Sequence, residues 1–365
     1  LAGRNYDKLA TVRANAGPGA ADAGIVVADA SDGQALAAMA GDARVVLSTA
    51  GPFALYGGLL VAACVAQRTH YVDITGETPW VRGLIDRHHE QAMAEGTRII
   101  PCCGFDSVPS DIGAWMLARH FQALGEACVE VKACFSLRGG FNGGTLASAL
   151  NMLDSGQSRA LADPWLLNPA QVRPRAGPLD EDPVAPHRDA DFKAWVGPFF
   201  MGPVNTRVVR RSAALLGYGP DFHYQEYLRF GSGALAAATA VGVSAGMNAS
   251  QAALRLAPVR ALARRMAPAP GQGPSEASMD RGSFRCELVG HGARGAVARA
   301  RVAAAGDPGN RATTVMVCEA AMALTRAADL PGGQKAGGVL TPASGLGTAL
   351  AERLRAAGMT MAVQA

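Results

Sequence analysis

The stretch His70-Tyr71-Val72-Asp73-Ile74-Thr75-Gly76-Glu77 decides the fold: a short apolar run breaks into a polar turn, and the amphipathic stretch Trp80–Glu95, closed by Gly96, follows it. The same pattern stands upstream. Arg44–Ser48 (RVVLS) runs into Ser48-Thr49-Ala50-Gly51-Pro52-Phe53 and then the apolar helix Leu55–Gln67. Before it, Gly24–Ala28 (GIVVA) precedes Ser31-Asp32-Gly33-Gln34, which reads as a capping box opening a helix through Ala40. Downstream, Arg98–Cys102 runs into Gly104-Phe105-Asp106-Ser107-Val108-Pro109-Ser110-Asp111 and the helix Ser110–Phe121. Short apolar strands alternating with helices predict an α/β fold, with a doubly wound parallel sheet buried on both faces.

The rhythm changes after about residue 125. Ala127–Leu137, Phe222–Phe230, Ser283–Val289 and Ala296–Val302 alternate as half-exposed strands do, and Gly143–Asp154 has helical spacing. Residues 162–190 are rich in proline and charge and read as a long irregular connection. The predicted organisation is a Rossmann-type domain at 1–124, a second α+β domain of mostly antiparallel sheet at 125–338, and a C-terminal helix within 339–365 that returns to the first domain. From Phe230 to Leu254 no residue is charged, and Arg255, Arg260, Arg264 and Arg265 follow. Gly, Ser, Thr, Asn and Gln dilute this segment too much for a stable membrane span. It suits a buried Ala-rich helix or lid, or peripheral contact with lipid or a long acyl chain.

Composition narrows the class. The chain has 365 residues, 49% hydrophobic and 18% charged, with a net charge of +4, which suits a two-domain globular protein. No Lys/Arg run is interleaved with aromatics, so nucleic acid is not an expected partner. The seven cysteines lack metal-ligand spacing and read as reduced thiols of a cytoplasmic protein. No His-Glu-x-x-His motif is present, which removes the support for a metalloenzyme reading.

In an open parallel sheet, ligands bind outside the carboxyl ends of the strands, so the turns quoted above are the candidate site. Leu1-Ala2-Gly3-Arg4-Asn5 reads as the end of a strand running into a loop. At that point of a Rossmann unit an acid bonds the ribose hydroxyl of NAD, whereas an arginine accommodates the 2′-phosphate of NADP. Arg4, with Asn5 beside it and no acid before Asp7, predicts NADP. Asp29 is placed to meet the adenine amino group or to support the next helix N-terminus. Ser48, Thr49, Ala50, Gly51, Pro52 and Phe53 form a small-residue turn where backbone can approach the cofactor. The same reading expects a strand and a glycine-rich phosphate loop before Leu1, so the sheet as read lacks its first strand and that loop. Hydride transfer also needs a proton source at this edge, for which Tyr56, Tyr71, Asp73 and Glu77 are the candidates. Gly104, Phe105, Asp106 and Ser107 are the expected substrate contacts, because the helix they open points its N-terminus at the crevice. Capping of that helix by Asp106 or Ser107 explains the same pattern.

Taken together, Leu1–Asn5, Ser48–Phe53 with Tyr56-Gly57, Tyr71–Glu77 and Cys103–Asp111 resemble the saccharopine-dehydrogenase-like oxidoreductases, a group that includes trans-acting enoyl reductases of bacterial lipid and glycolipid synthesis. Gly273-Pro274-Ser275-Glu276, Gly306-Asp307-Pro308-Gly309 and Gly338–Pro342 resemble the family's C-terminal half. The resemblance implies an NADP-type Rossmann domain, a second α/β domain before the last helix, and in some members an association with membranes. It carries over no catalytic residue.

The expected function is NADP-dependent reduction of an enoyl or carbonyl group in a lipid-like or polyketide-like substrate, with cytoplasmic location, peripheral contact at the plasma membrane through 230–254, and a homodimer as one expected assembly. Two rivals stand beside it: a non-catalytic lipid-associated protein that keeps the fold, and an amino-acid dehydrogenase using Arg138, Arg207, Arg210 and Arg211 to clamp a carboxylate.

Overall fold

A computed structural model describes residues 1–139, 143–154, 156–174, 177–219, 221–266 and 273–364. The first part repeats strand and helix: β1 (Ala2–Gly3), α1 (Tyr6–Asn15), β2 (Val26–Val27), α2 (Gly33–Gly41), β3 (Val45–Ser48), α3 (Phe53–Tyr56), α4 (Gly58–Ala66), β4 (His70–Asp73), α5 (Thr78–Glu95), β5 (Arg98–Ile100) and α6 (Val108–Ala123). The second part holds β6 (Cys128–Arg138), α7 (Gly143–Asp154), β7 (His187–Asp189), β8 (Ala194–Pro198), α8 (Gly202–Leu216), β9 (His223–Gly231), α9 (Ala234–Leu254), α10 (Ala257–Met266), α11 (Glu276–Asp280), β10 (Ser283–Gly292) and β11 (Val297–Ala305). The tail adds α12 (Thr313–Leu324), β12 (Gly338–Val339), α13 (Pro342–Gly345), α14 (Gly347–Ala356) and β13 (Thr360–Gln364).

All pairings in the first part are parallel. They form two blocks, β1-β2 and β12-β5-β4-β3, bridged by the packing of α2 on α4. The second sheet has the order β13-β11-β10-β6-β9-β8-β7 and is antiparallel except for the β6–β9 pair. Helix α6 is the joint between the parts, packing on β6, β10, β11 and α8. Glycines permit that approach: a Cβ at Gly113 would come within 2.8 Å of Leu288, and one at Gly290 within 2.8 Å of Phe121. Leu117 and Phe121 on α6 are fully buried there, so truncating Leu117 to Ala is expected to cost about 2–5 kcal/mol.

Three local readings change. Helix α2 is capped by Asp32, whose carboxylate accepts from the amides of Gln34 and Ala35, and not by Ser31, because the chain turns one residue later. The helix expected at 55–67 is two, α3 and α4, meeting at Gly57. A side chain there would lie 2.6 Å from the Trp80 ring. The tail holds more than a helix. Strand β12 extends the parallel sheet beside β5, and β13 pairs with β11 in the other sheet, so the last residues stitch both sheets together. Gly96 closes α5 in the left-handed conformation (φ 71°), as its position predicts.

Candidate active site

The carboxyl ends of β1 and β2 carry Arg4 and Asp29. Asn5 caps α1, its side-chain oxygen accepting from the Lys8 amide at 2.9 Å. Asp29 accepts from both the amide (2.9 Å) and the hydroxyl (2.6 Å) of Ser31, and these bonds, with Arg4 nearby, lower its pKa. It neither caps α2 nor keeps its Oδ1 free for a ligand. Arg4 is exposed and forms no hydrogen bond or ion pair among the described residues. A guanidinium free of protein partners has the planar fork that matches phosphate oxygens.

After β3, Ser48 is buried, Thr49, Ala50 and Gly51 are exposed, and a cis Gly51–Pro52 bond leads into α3. Phe53 is buried, its ring 5.7 Å from that of Trp80. The turn is held from the next loop: Glu77 accepts from the Phe53 amide (2.8 Å), the Ala54 amide (3.0 Å) and the Ser148 hydroxyl of α7 (2.8 Å). Glu77 therefore anchors the turn, and its oxygens are not available as an open acid. Tyr56 is 45% exposed on α3.

Strand alternation puts Tyr71 and Asp73 on one face, and the fold closes that face completely. The Tyr71 hydroxyl donates to Asp73 Oδ2 at 2.9 Å, while Asp73 Oδ1 accepts from the Thr75 amide (2.9 Å) and the Cys102 amide (3.0 Å). Burial pushes Asp73 up to about 7 against these bonds and holds the Tyr71 phenol far above its usual range. The pair locks the β4 and β5 turns together. As proton donors to a crevice both are misplaced, since neither reaches solvent.

The β5–α6 turn divides its four candidates. Gly104 and Phe105 face inward: Phe105 donates its amide to the Thr313 hydroxyl at 3.0 Å, and its ring lies 5.0 Å from Phe284 and 5.9 Å from Phe135. They belong to the joint with the second sheet, and substrate contact by Phe105 does not fit. Ser107 stands at the α6 N-cap but makes no capping bond; its hydroxyl donates to Asn205 of α8 at 3.1 Å. Asp106 is different. It is partly exposed, makes no hydrogen bond among the described residues, and lies beside Gly76, where a Cβ would be 3.8 Å from its Oδ2 and 3.5 Å from Met201. Burial pushes its carboxyl up to about 6. A carboxyl that binds a proton near neutrality, with both oxygens free, has the equipment of a general acid.

Two buried carboxyls behind it were not picked out by sequence reasoning. Glu226 of β9 accepts from Ser110 (2.7 Å), Tyr224 (2.9 Å) and Asn205 (2.8 Å), and burial pushes it up to about 8. Asp111 accepts from Ser212 and from the Ala343 amide, and burial pushes it up to about 7. They tie α6 to α8, β9 and α13. The alternation of Phe222–Phe230 held the signal for Glu226, since it shares a face with Tyr224.

The arginines suggested as a carboxylate clamp hold backbone instead. Arg207 bonds carbonyls of Leu161 and Asp163 and pairs with Asp182, and Arg211 bonds carbonyls of Leu167 and Val339. Arg210 bonds carbonyls of Pro164 and Tyr224, and Arg138 is exposed at the end of β6.

Residues 1–100 match the family model described as the saccharopine dehydrogenase NADP binding domain. Over 381 residues the chain is 41% identical to a Mycobacterium tuberculosis (strain H37Rv) protein named as a candidate trans-acting enoyl reductase, covering 99% of this chain and 90% of that one. It is 38% identical over 382 residues to the trans-acting enoyl reductase of Mycobacterium leprae, with the same coverage. Apo saccharopine dehydrogenase (L-Glu forming) of Saccharomyces cerevisiae covers 100% of the chain at a TM-score of 0.48 and 10% identity, too distant to bear on the site. An NADP-binding domain model and relatives aligned almost end to end converge: the chain is an NADP-dependent oxidoreductase that belongs to the trans-acting enoyl reductase family of saccharopine-dehydrogenase-like proteins.

Proposed function

We propose that this protein reduces the carbon–carbon double bond of an enoyl thioester with a lipid-like or polyketide-like acyl chain. The observation that carries the reading is Asp106, a carboxyl with free oxygens at the edge where the cofactor and substrate turns meet. NADPH, when bound, would supply the hydride for the β-carbon. Asp106 gives its proton to the α-carbon and is reprotonated from water, so the double bond gains one hydrogen at each carbon. Glu77 and the Tyr71–Asp73 pair hold the turns, and Arg4 selects NADPH. The test is NADPH oxidation with a series of enoyl thioesters, followed by mass analysis of the product. Saturated product at a rate that grows with chain length supports the reading. NADPH turnover with carbonyl compounds or amino acids alone sinks it.

The acyl and membrane part of the proposal draws on α9 and α10. Between Glu226 and Glu276 the chain has no acidic residue, and it carries five arginines. Only Ala240 and Ser244 of α9 are buried, while Leu235 is 82% and Met266 of α10 76% exposed. Arg260 and Arg264 pair with Asp154 of α7, and Arg255 and Arg265 have no ion pair among the described residues. Among the described residues no helix is long and apolar enough to cross a membrane. This surface suits peripheral contact with an anionic bilayer, each arginine adding about 1 kcal/mol. Cosedimentation with phosphatidylglycerol vesicles checks it: Arg255→Glu with Arg265→Glu is expected to weaken binding about tenfold or more, and unchanged binding would reject it.

A further inference from the structure

Glu77 is fully buried and forms no ion pair among the described residues, so its carboxylate rests on hydrogen bonds alone. Two of its donors are the Phe53 and Ala54 amides that follow the turn at 48–52. The third is the Ser148 hydroxyl, 71 residues away in sequence and on α7 of the second part. Oε1 takes the Phe53 amide and Ser148, while Oε2 takes only the Ala54 amide. Without the hydroxyl, a buried carboxylate loses one of three donors, and the hold on both amides loosens with it.

Helix α7 is held beyond this bond. Leu150 is buried, and the 3₁₀ turn Gln157–Ala162 that follows packs against α5, with Ala160 on the core that contains Phe53 and Trp80. Asp154 lies roughly 9 Å along the helix from Ser148, at a rise of ~1.5 Å per residue. It pairs with both Arg260 and Arg264 of α10. Arg260 also donates to the Leu254 and Arg255 carbonyls at 3.0 and 2.8 Å, which fixes the corner between α9 and α10. One helix therefore carries a bond to the anchor of the cofactor turn and an ion-pair tie to α10.

We infer that α7 is a strut between α10 and the cofactor turn, with Ser148 as its positioning residue: through Glu77, Ser148 sets how residues 48–53 approach NADPH. The second part of the chain thereby tunes cofactor affinity in the first. The inference rests on the reading of 48–53 as a cofactor contact.

The test is fluorescence titration of the full chain with NADPH, beside steady-state kinetics. Ser148→Ala is expected to raise Kd and KM for NADPH about fivefold or more, with kcat at saturating NADPH kept within about twofold. Ser148→Thr, which keeps the hydroxyl, should hold both constants near the wild-type values. Asp154→Ala, which removes only the tie to α10, should raise them about two- to threefold. The double variant should match Ser148→Ala alone, because both changes act through one helix. Ala50→Trp, which crowds the exposed turn, tests the underlying reading. If it raises Kd while Ser148→Ala does not, the strut is overturned and the cofactor turn stands. If Ala50→Trp leaves Kd unchanged, the turn is no cofactor contact and the inference falls with it. A lowered unfolding midpoint in Ser148→Ala with Kd and KM unchanged would leave the hydroxyl a structural role only. Ser148→Thr as weak as Ser148→Ala, or additive effects of Ser148→Ala and Asp154→Ala, would also overturn the inference.

Discussion

Strand β4 ends on an aspartate and the turn after β5 carries another at the same edge of one parallel sheet, and the two aspartates have opposite fates. Burial raises the pKa of both, to about 7 for Asp73 and about 6 for Asp106. Asp73 is filled by a phenol and two backbone amides, so its environment is spent on holding two turns together. Asp106 has no hydrogen-bond partner among the described residues and keeps access to solvent. A raised carboxyl pKa therefore does not by itself mark a catalytic acid. Free oxygens and a path for the proton are needed too.

The sharpest way to break this contrast is to neutralise each member. Asp106→Asn is expected to lower kcat for enoyl reduction by about 100- to 1000-fold, with NADPH affinity and unfolding midpoint nearly unchanged. A loss below about threefold would move the proton donor elsewhere. Asp73→Ala should do the reverse. It strands the Tyr71 hydroxyl and the Thr75 and Cys102 amides in the core, at a cost of about 3 kcal/mol. Urea unfolding would read this as a lowered midpoint, and an unchanged midpoint would show that the network is slack.

The smallest effect is in pH. Folding raises Asp73 from 3.8 to about 7, so its contribution to stability is complete below its unfolded value and is lost as pH rises through about 7. Asp111 and Glu226 act in the same direction, up to about 7 and 8. His70 is lowered to about 4, so its contribution is lost only as pH falls below 6.5. Between about pH 6.5 and 8 the buried acids therefore dominate, and Tm is expected to fall as pH rises. Asp73→Asn should flatten that slope, and Asp106→Asn should change it less, because Asp106 has mostly titrated by pH 6.5. Equal slopes in both variants would erase the distinction.

Much of this was legible along the chain. The strands at 44–48, 70–74 and 98–102 announce themselves as apolar runs ending in polar turns, and the turns lie at the sheet edge where they were expected. Burial of Tyr71 and Asp73 was not legible, because alternation says which residues share a face but not what covers it. The covering comes from elements distant in sequence, such as Leu166, Leu167 and Val208, packed in the same core as Tyr71. Glu77 was read as an acid for the same reason: its partners Phe53 and Ala54 sit on α3 and Ser148 on α7.

The sequence by itself determined the alternation of strands and helices, the mostly antiparallel second sheet, the arginine that follows the first strand and the uncharged segment at 230–254. Each follows from local periodicity or from the chemistry of single residues in short motifs. Only the tertiary structure decided which polar side chains are satisfied. Asp106 stands apart from Asp73 through long-range packing that supplies hydrogen-bond partners to one carboxyl and withholds them from the other, and Arg207 differs from Arg210 in having an ion pair among the described residues.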